Sequence, residues 1–220
     1  MDLLPFASVV VLAYLVGSLS FAVIVSRCFG LSDPRTYGSG NPGATNVLRS
    51  GHKGAAVLTL VFDAIKGMVP VWVAQQGVAA WGLPAAVVAC AGLAAFVGHL
   101  WPVFFRFKGG KGVATAAGVL FALNPWLGLS TLLTWLAVVF LFRYSSLAGI
   151  TAAVLAPLYQ MLLQGYGSTT WCVLVMGALL VWRHQSNIRK LFQGTESKLG
   201  SRSSVPVSPP PSVNPGKNQS

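Results

Sequence analysis

Seven apolar runs, separated by polar segments, organise this chain. They cover residues 3–29, 54–75, 84–104, 112–123, 126–142, 147–164 and 170–183. Most approach the roughly 20 residues that a helix needs to cross the hydrocarbon core of a bilayer. Backbone N–H and C=O groups in that core find no water, so each run is predicted to be a helix that satisfies them internally. The polar/apolar alternation of a barrel strand is absent. The fourth and seventh runs are short for a full crossing. Only Asn124-Pro125, a strong helix stop, parts the fourth from the fifth. The expected fold class is all-α, a polytopic membrane protein with seven transmembrane helices.

Composition agrees with that pattern. Hydrophobic residues make up 54% of the 220 and charged residues 9%, with a mean hydropathy of +0.67. Soluble domains carry about 25% charged residues. A net charge of +11 in a soluble protein would point to nucleic acid. Here the cations border the apolar runs and read as topology signals, so no nucleic-acid partner is expected. With seven crossings, the cations of residues 27–53, 106–111 and 143 and those from 183 onward fall on one side. The loops 77–83, 124–125 and 165–169 on the other side carry no charge. The positive-inside rule then puts the N-terminus outside and the C-terminus in the cytoplasm. Merging the fourth and fifth runs would strand Arg143 and the Arg183–Lys198 cluster on the opposite side.

Met1-Asp2 lacks the basic start of a secretory signal, and the run that follows is too long for one, so it reads as a retained span. Cys28, Cys90 and Cys172 are odd in number, widely spaced and set in apolar runs, which argues against disulfides and metal sites. No metal requirement and no cofactor is expected. Residues 1–200 are expected to form one integral membrane domain. Residues 201–220, rich in Ser and Pro, are expected to be a disordered cytoplasmic tail.

Candidate chemistry collects in three polar segments that this topology places on the cytoplasmic face. The first is Gly38-Ser39-Gly40-Asn41-Pro42-Gly43-Ala44-Thr45-Asn46-Val47-Leu48-Arg49. Its glycines let backbone N–H groups approach a ligand and form an anion-binding concavity, to which Arg49 adds a bidentate fork for phosphate. The second is Phe107-Lys108-Gly109-Gly110-Lys111-Gly112-Val113-Ala114-Thr115, which runs into the fourth helix. Lys111 therefore lies at a helix N-terminus, where free N–H groups and the dipole favour an anion. Phe105 stands where a Walker loop needs Gly, and no strand precedes it. The third is Arg183-His184-Gln185-Ser186-Asn187-Ile188-Arg189-Lys190-Leu191, followed by Gly194 and Glu196. If the last helix continues, His184 and Asn187 share a face. Asp63 and Lys66 lie three apart inside the second helix, as a mutually neutralising pair or with Asp63 orienting a substrate hydroxyl.

In this order and spacing, the three segments resemble those of the bacterial acyl-phosphate:glycerol-3-phosphate acyltransferases, membrane enzymes that make lysophosphatidic acid. Phe62-Asp63-Ala64-Ile65-Lys66-Gly67, Gly98-His99-Leu100-Trp101-Pro102-Val103-Phe104-Phe105 and Tyr144-Ser145-Ser146-Leu147 are similar to the family as well. The resemblance runs from about Leu3 to Gly200, and departs from the family at Gln185, Ser186 and the tail. It implies a seven-helix monomer in the bacterial inner membrane, in contact with membrane lipid, with its active site facing the cytoplasm. It implies acyl phosphate as donor, glycerol 3-phosphate as acceptor, and the first acylation step of phospholipid synthesis.

By the same resemblance, Ser39, Arg49, Lys111, His184 and Asn187 match the catalytic and phosphate-binding pocket. Gly109, Gly110 and Gly112 match the glycerol-3-phosphate loop, and Glu196 a structural position beside the site. Gly38, Gly40, Asn41 and Asp63 complete the candidate binding residues. His184 is the natural base by side-chain chemistry, with a hydrogen bond to phosphate or oxyanion as the alternative; a substrate phosphate is the other candidate acceptor for the proton. The competing class is a membrane transporter for a phosphorylated solute, which would place polar ligand groups near the midplane, where only Asp63 and Lys66 lie. An acyl-CoA-type enzyme typically carries Asp five residues after a His. His52, His99 and His184 are followed there by Val57, Phe104 and Arg189.

Overall fold

The computed structural model describes residues 3–200; the tail expected at 201–220 lies outside the described residues. Among the described residues all regular structure is helical. The helices are α1 (Leu3–Gly17), α2 (Phe21–Cys28), α3 (Ala44–Leu48), α4 (Lys53–Trp81), α5 (Ala86–Leu100), α6 (Val113–Leu123), α7 (Pro125–Phe142), α8 (Ser145–Gln164), α9 (Ser168–Arg183) and α10 (Gln185–Phe192), with a short 3₁₀ turn at Val103–Phe105. α4, α7, α8 and α5 continued through the 3₁₀ turn to Phe105 are long and apolar enough to cross a membrane, four spans, or five when the bent pair α1–α2 counts as one. α6 and α9 are shorter apolar helices. Phe140, Leu162 and Trp171 belong to a broad belt of exposed apolar side chains, as in a protein surrounded by lipid.

The first apolar run, expected as one helix over 3–29, is broken. α1 and α2 meet at 43°. Ser18 Oγ bonds back to Tyr14 O at 2.9 Å, a contact that bends helices. The carbonyl of Leu19, released by the bend, accepts from Lys66 Nζ of α4 at 2.6 Å. Lys66 also pairs with Asp63 at 2.7 Å. The two intramembrane charges thus neutralise each other and satisfy the broken backbone.

The split between α6 and α7 is real and its cause is local. Asn124 is extended, and its Oδ1 accepts from Trp126 N–H at 2.8 Å while Pro125 occupies the first helical position. The last apolar run ends at Arg183, where expected, but the helix does not continue from there: His184 forms the junction, and α10 starts anew at Gln185. Asn187 therefore reaches the site from a second helix.

Two helix pairs carry the packing, α1 on α5 and α4 on α6. Both use glycine to bring backbones together, as membrane helices commonly do. A Cβ at Gly118 of α6 would stand 1.9 Å from Ala64 O, and one at Gly67 of α4 2.2 Å from Thr115 O. Gly17 and Gly98 serve the α1–α5 crossing in the same way. α6 then packs on α7, α7 on α8 and α8 on α9, around a core of Phe96, Leu100, Val119, Met176 and Leu180.

The crossing predicts an asymmetric response to a single methyl group. Gly118→Ala should destabilise the protein by roughly 1–3 kcal/mol, the usual cost of overpacking. Gly54→Ala, in open space in the first turn of α4, should leave stability unchanged or raise it. Thermal unfolding of the two variants in detergent decides between them.

Candidate active site

The first polar segment folds around one side chain. Asn46 of α3 is buried, and its Nδ2 donates to Pro34 O at 2.6 Å and to Tyr37 O at 3.1 Å. Its Oδ1 accepts from Ser39 N–H at 3.0 Å. Gly38 has a φ of +58°, and a Cβ there would lie 2.3 Å from Asn46 Oδ1, so glycine is required on both counts. Arg49, just past α3, lays its side chain against the same spot. Asn41 N–H donates to Ser39 Oγ at 3.4 Å. Gly40 also has a positive φ, of +67°.

The second segment is gripped from α9. Arg183 Nη2 donates to Gly109 O at 2.9 Å and its Nε to Gly110 O at 3.1 Å. Gly110 N–H donates to His99 O at 3.1 Å, so that donor is not available to a ligand. No space for a Cβ exists at Gly109, which rests on the carbonyls of His99 and Leu100. Gly112, with φ +86°, caps α6, whose first N–H groups have no intrahelical partner.

A hydrogen-bonded chain ties the segments together. Lys111 Nζ donates to Asn187 Oδ1. Asn187 Nδ2 donates to Glu196 Oε1 at 2.7 Å, and Ser146 Oγ donates to the same oxygen at 2.6 Å. Glu196 thus fixes Asn187, and Asn187 fixes Lys111. Burial pushes the Lys111 ammonium down to about 8, aided by Lys190, Arg183 and Arg49 and opposed by Glu196. His184 is 2% exposed. Its Nδ1 lies 2.8 Å from Leu180 O; a carbonyl only accepts, so Nδ1 carries the proton and Nε2 the lone pair. Burial holds its pKa down at about 4, with the nearby Lys111 and Arg183 adding to the effect. His184 is therefore a neutral acceptor at physiological pH.

Ser39, Asn41, Arg49, Asp63, Lys111, Gly112, His184, Asn187 and Glu196 all line one polar cavity of about 130 Å³. Gly38, Gly40, Gly109 and Gly110 are not on its wall and shape the loops instead. Asp63 lies at the cavity beside His99, whose Nδ1 is 3.7 Å from its Oδ1. Sequence reasoning assigns no role to Asn46, Ser146 or Arg183, because a side chain whose partners lie on another element leaves no periodic signal. Among the described residues no three His, Cys, Asp or Glu side chains could hold a metal ion, and the three cysteines are free thiols.

An apolar cavity of about 150 Å³ adjoins the polar one. α6, α7, α8 and α9 form it, with Leu60 of α4. Leu60, Val113, Ala114 and Trp135 line both cavities and mark the throat between them. The arrangement suits a molecule with an anionic head and a long apolar tail.

The chain is similar to known proteins over most of its length. The model of the family described as Glycerol-3-phosphate acyltransferase matches residues 7–194. A glycerol-3-phosphate acyltransferase of Burkholderia ambifaria is 62% identical over 192 residues, covering 86% of this chain and 89% of that protein. One from Paraburkholderia phytofirmans is 61% identical over 194 residues, covering 88% and 91%. A crystal structure of PlsY, an integral membrane glycerol 3-phosphate acyltransferase in its glycerol 3-phosphate form, is 41% identical. It superposes with a TM-score of 0.83 over 89% of this chain and 96% of that one. The lysophosphatidic acid form of PlsY gives a TM-score of 0.80 at 40% identity, over 88% and 95%.

The pKa of Lys111 sets a pH dependence. An ordinary lysine stays charged to about pH 10.4, whereas this one becomes neutral as the pH rises through about 8. Thermal stabilisation by inorganic phosphate should therefore fade above about pH 8, although phosphate itself is then more anionic. Lys111→Arg, which keeps its charge, should extend the stabilisation to higher pH. An identical pH profile in that variant would exclude Lys111 as the titrating group.

Proposed function

The chain belongs to the glycerol-3-phosphate acyltransferase family, and on that premise we propose that it acylates the sn-1 hydroxyl of glycerol 3-phosphate from acyl phosphate. The products are lysophosphatidic acid and inorganic phosphate. The observation that carries this reading is the cation-lined cavity opening through a throat into an apolar one. An acyl phosphate has the matching shape, with a charged head and a hydrocarbon tail, and needs no pocket for a nucleotide carrier. The forms of PlsY named for glycerol 3-phosphate and lysophosphatidic acid support the acceptor and the product.

An acyl phosphate is a mixed anhydride with a good leaving group already in place. The protein has to hold two anions together and aim a hydroxyl at a carbonyl, and orientation of that kind is worth roughly 7–11 kcal/mol. Arg49, Lys111 and the N-terminal N–H groups of α6 share the two phosphates. Ser39 and Asn41 hydrogen-bond the bound polar groups, and Asp63 orients a glycerol hydroxyl. Asn187 and Glu196 hold Lys111 in place. The hydroxyl proton passes to His184 Nε2 or to a substrate phosphate; the lone pair on Nε2 suits either acceptance of that proton or a relay to phosphate. The acyl chain lies in the apolar cavity. Leu60 and Leu132, 51% and 36% exposed, stand at its edge, which suits entry from the lipid between α4 and α7.

We further propose seven crossings, with the N-terminus outside and the site facing the cytoplasm at the bacterial inner membrane. Residues 1–200 then form the catalytic unit, which works as a monomer. The charge-free loops 77–83, 124–125 and 165–169 support that orientation.

Acyl transfer to radiolabelled glycerol 3-phosphate by purified protein tests the reaction, with palmitoyl phosphate and palmitoyl-CoA offered separately. Lysophosphatidic acid should form from the acyl phosphate alone and be lost, by about 100-fold or more, in His184→Ala. Product from palmitoyl-CoA would overturn the donor assignment. No product from either, with folded protein, would favour transport of a phosphorylated solute. The cavity predicts chain selection as well. Leu120 lies seven residues, or about 10 Å along α6, beyond Val113 at the throat, and Ala156 and Val173 close that end. Ala156→Leu should shift the preferred donor toward shorter acyl phosphates, measured as kcat/KM over a chain-length series.

A further inference from the structure

One residue at the throat between the two cavities carries a polar group without a partner. Four residues line both cavities, and the side chains of Leu60, Val113 and Ala114 are apolar. The fourth is Trp135 of α7. Its Nε1 is shut off from solvent and has no hydrogen-bond partner among the described residues. An indole N–H can only donate, and leaving a buried donor unmatched is costly. The neighbouring polar groups on α7 show no such vacancy. Thr134 Oγ1 bonds Tyr159 OH at 2.8 Å, and Thr131 Oγ1 bonds the carbonyls of Leu127 and Gly128 at 2.9 Å. Trp135 is thus set apart at the one level where the polar and apolar cavities meet.

Depth along the helices agrees with that placement. Trp135 lies seven residues from Phe142 at the end of α7, and Leu60 seven from Lys53 at the start of α4. At 1.5 Å per residue both are about 10 Å from their helix ends. Val113 and Ala114 begin α6 at the same throat, with the unpaired N–H groups of a helix N-terminus.

This inference rests on the acyl phosphate reading above. In such a donor the phosphate belongs to the polar cavity and the chain to the apolar one, so the carbonyl joining them falls at the throat. We propose that the Trp135 indole N–H, beside the first N–H groups of α6, donates to the acyl carbonyl oxygen and stabilises the oxyanion formed there. The sn-1 hydroxyl oxygen of glycerol 3-phosphate bonds to the carbonyl carbon, and the C=O π electrons move to the oxygen facing Trp135. When they return, the bond from carbon to the bridging phosphate oxygen breaks and phosphate leaves with that electron pair. The hydroxyl proton leaves with it, directly or by way of His184 Nε2. Trp135 is on this account a catalytic residue, and its N–H matters more than its bulk.

The test compares the full-length wild type in detergent with two variants at this position. Trp135→Phe removes the donor and part of the bulk. Replacing Trp135 by benzothienylalanine keeps the bicyclic shape, puts sulfur in place of N–H, and retains the test if the phenylalanine variant fails to fold. Both should lower kcat by roughly 100-fold, the lower end of the range for loss of one oxyanion donor. The KM for glycerol 3-phosphate should be unchanged, and the loss should be the same for short and long acyl phosphates. Full kcat in the benzothienylalanine protein would overturn the proposal. So would a loss that varies with chain length and appears in the KM for the donor, because Trp135 would then be an apolar wall. If the wild type transfers no acyl group from acyl phosphate, the underlying reading falls, and this inference with it.

Discussion

Backbone that leaves a helix inside an apolar protein has no water to turn to, and the architecture of this molecule follows from how that demand is met. At three of the breaks and loops a polar side chain from a neighbouring element takes the place of solvent. Lys66 reaches the Leu19 carbonyl between α1 and α2. Arg183 holds the Gly109 and Gly110 carbonyls ahead of α6. Asn46 binds Pro34, Tyr37 and Ser39 around the first loop. Polar groups left unmatched in such surroundings each cost several kcal/mol, so the loops are held in place before any ligand arrives. That preorganisation is what an anion site needs, since donors already aimed at the ligand need no reorganisation during reaction.

The electrostatics of the cavity follow from the same economy of groups. Arg49, Lys111 and the α6 N-terminus face it, and Glu196 supplies a carboxylate at one side. Glu196 is engaged by Ser146 and Asn187, and acts on Lys111 through the amide of Asn187. Asp63 also lines the cavity but is paired with Lys66, which leaves Arg49, Lys111 and the α6 N-terminus to offer positive potential to an anion. His184, kept neutral by burial and by the nearby Lys111 and Arg183, with its tautomer fixed by the Leu180 carbonyl, adds an acceptor without adding to the charge.

Much of this was legible in the sequence. Every apolar run became a helix or a bent helix pair, because hydropathy reports the medium and the medium forces internal hydrogen bonding. The Asn124-Pro125 stop was legible because cap and proline act locally. The break at Ser18–Ser20 was hidden, since its partner Lys66 sits on another helix, 47 residues away in sequence. The same applies to Asn46 and Arg183, whose roles depend on backbone atoms brought near by folding. The restart of helix at Gln185 also escaped the 3.6-residue pattern, although Asn187 still arrives at the cavity beside His184. Trp135 reads as one more apolar residue of α7 until the two cavities on either side of it are seen.

The glycine contact between α4 and α6 has a bearing on how such proteins diversify. One wall of the apolar cavity is α6, and its back lies against α4 with no space for a single added carbon at Gly118 or Gly67. That wall is closed to gradual change, since any enlargement there displaces the helix that also presents Lys111. The opposite walls, α7 to α9, carry Ala152, Ala156, Leu132 and Val173, positions where side-chain volume changes without moving the phosphate site. The shape of the apolar cavity can therefore vary along those three helices while α4 and α6 stay fixed. The chemistry at the other end is then inherited unaltered.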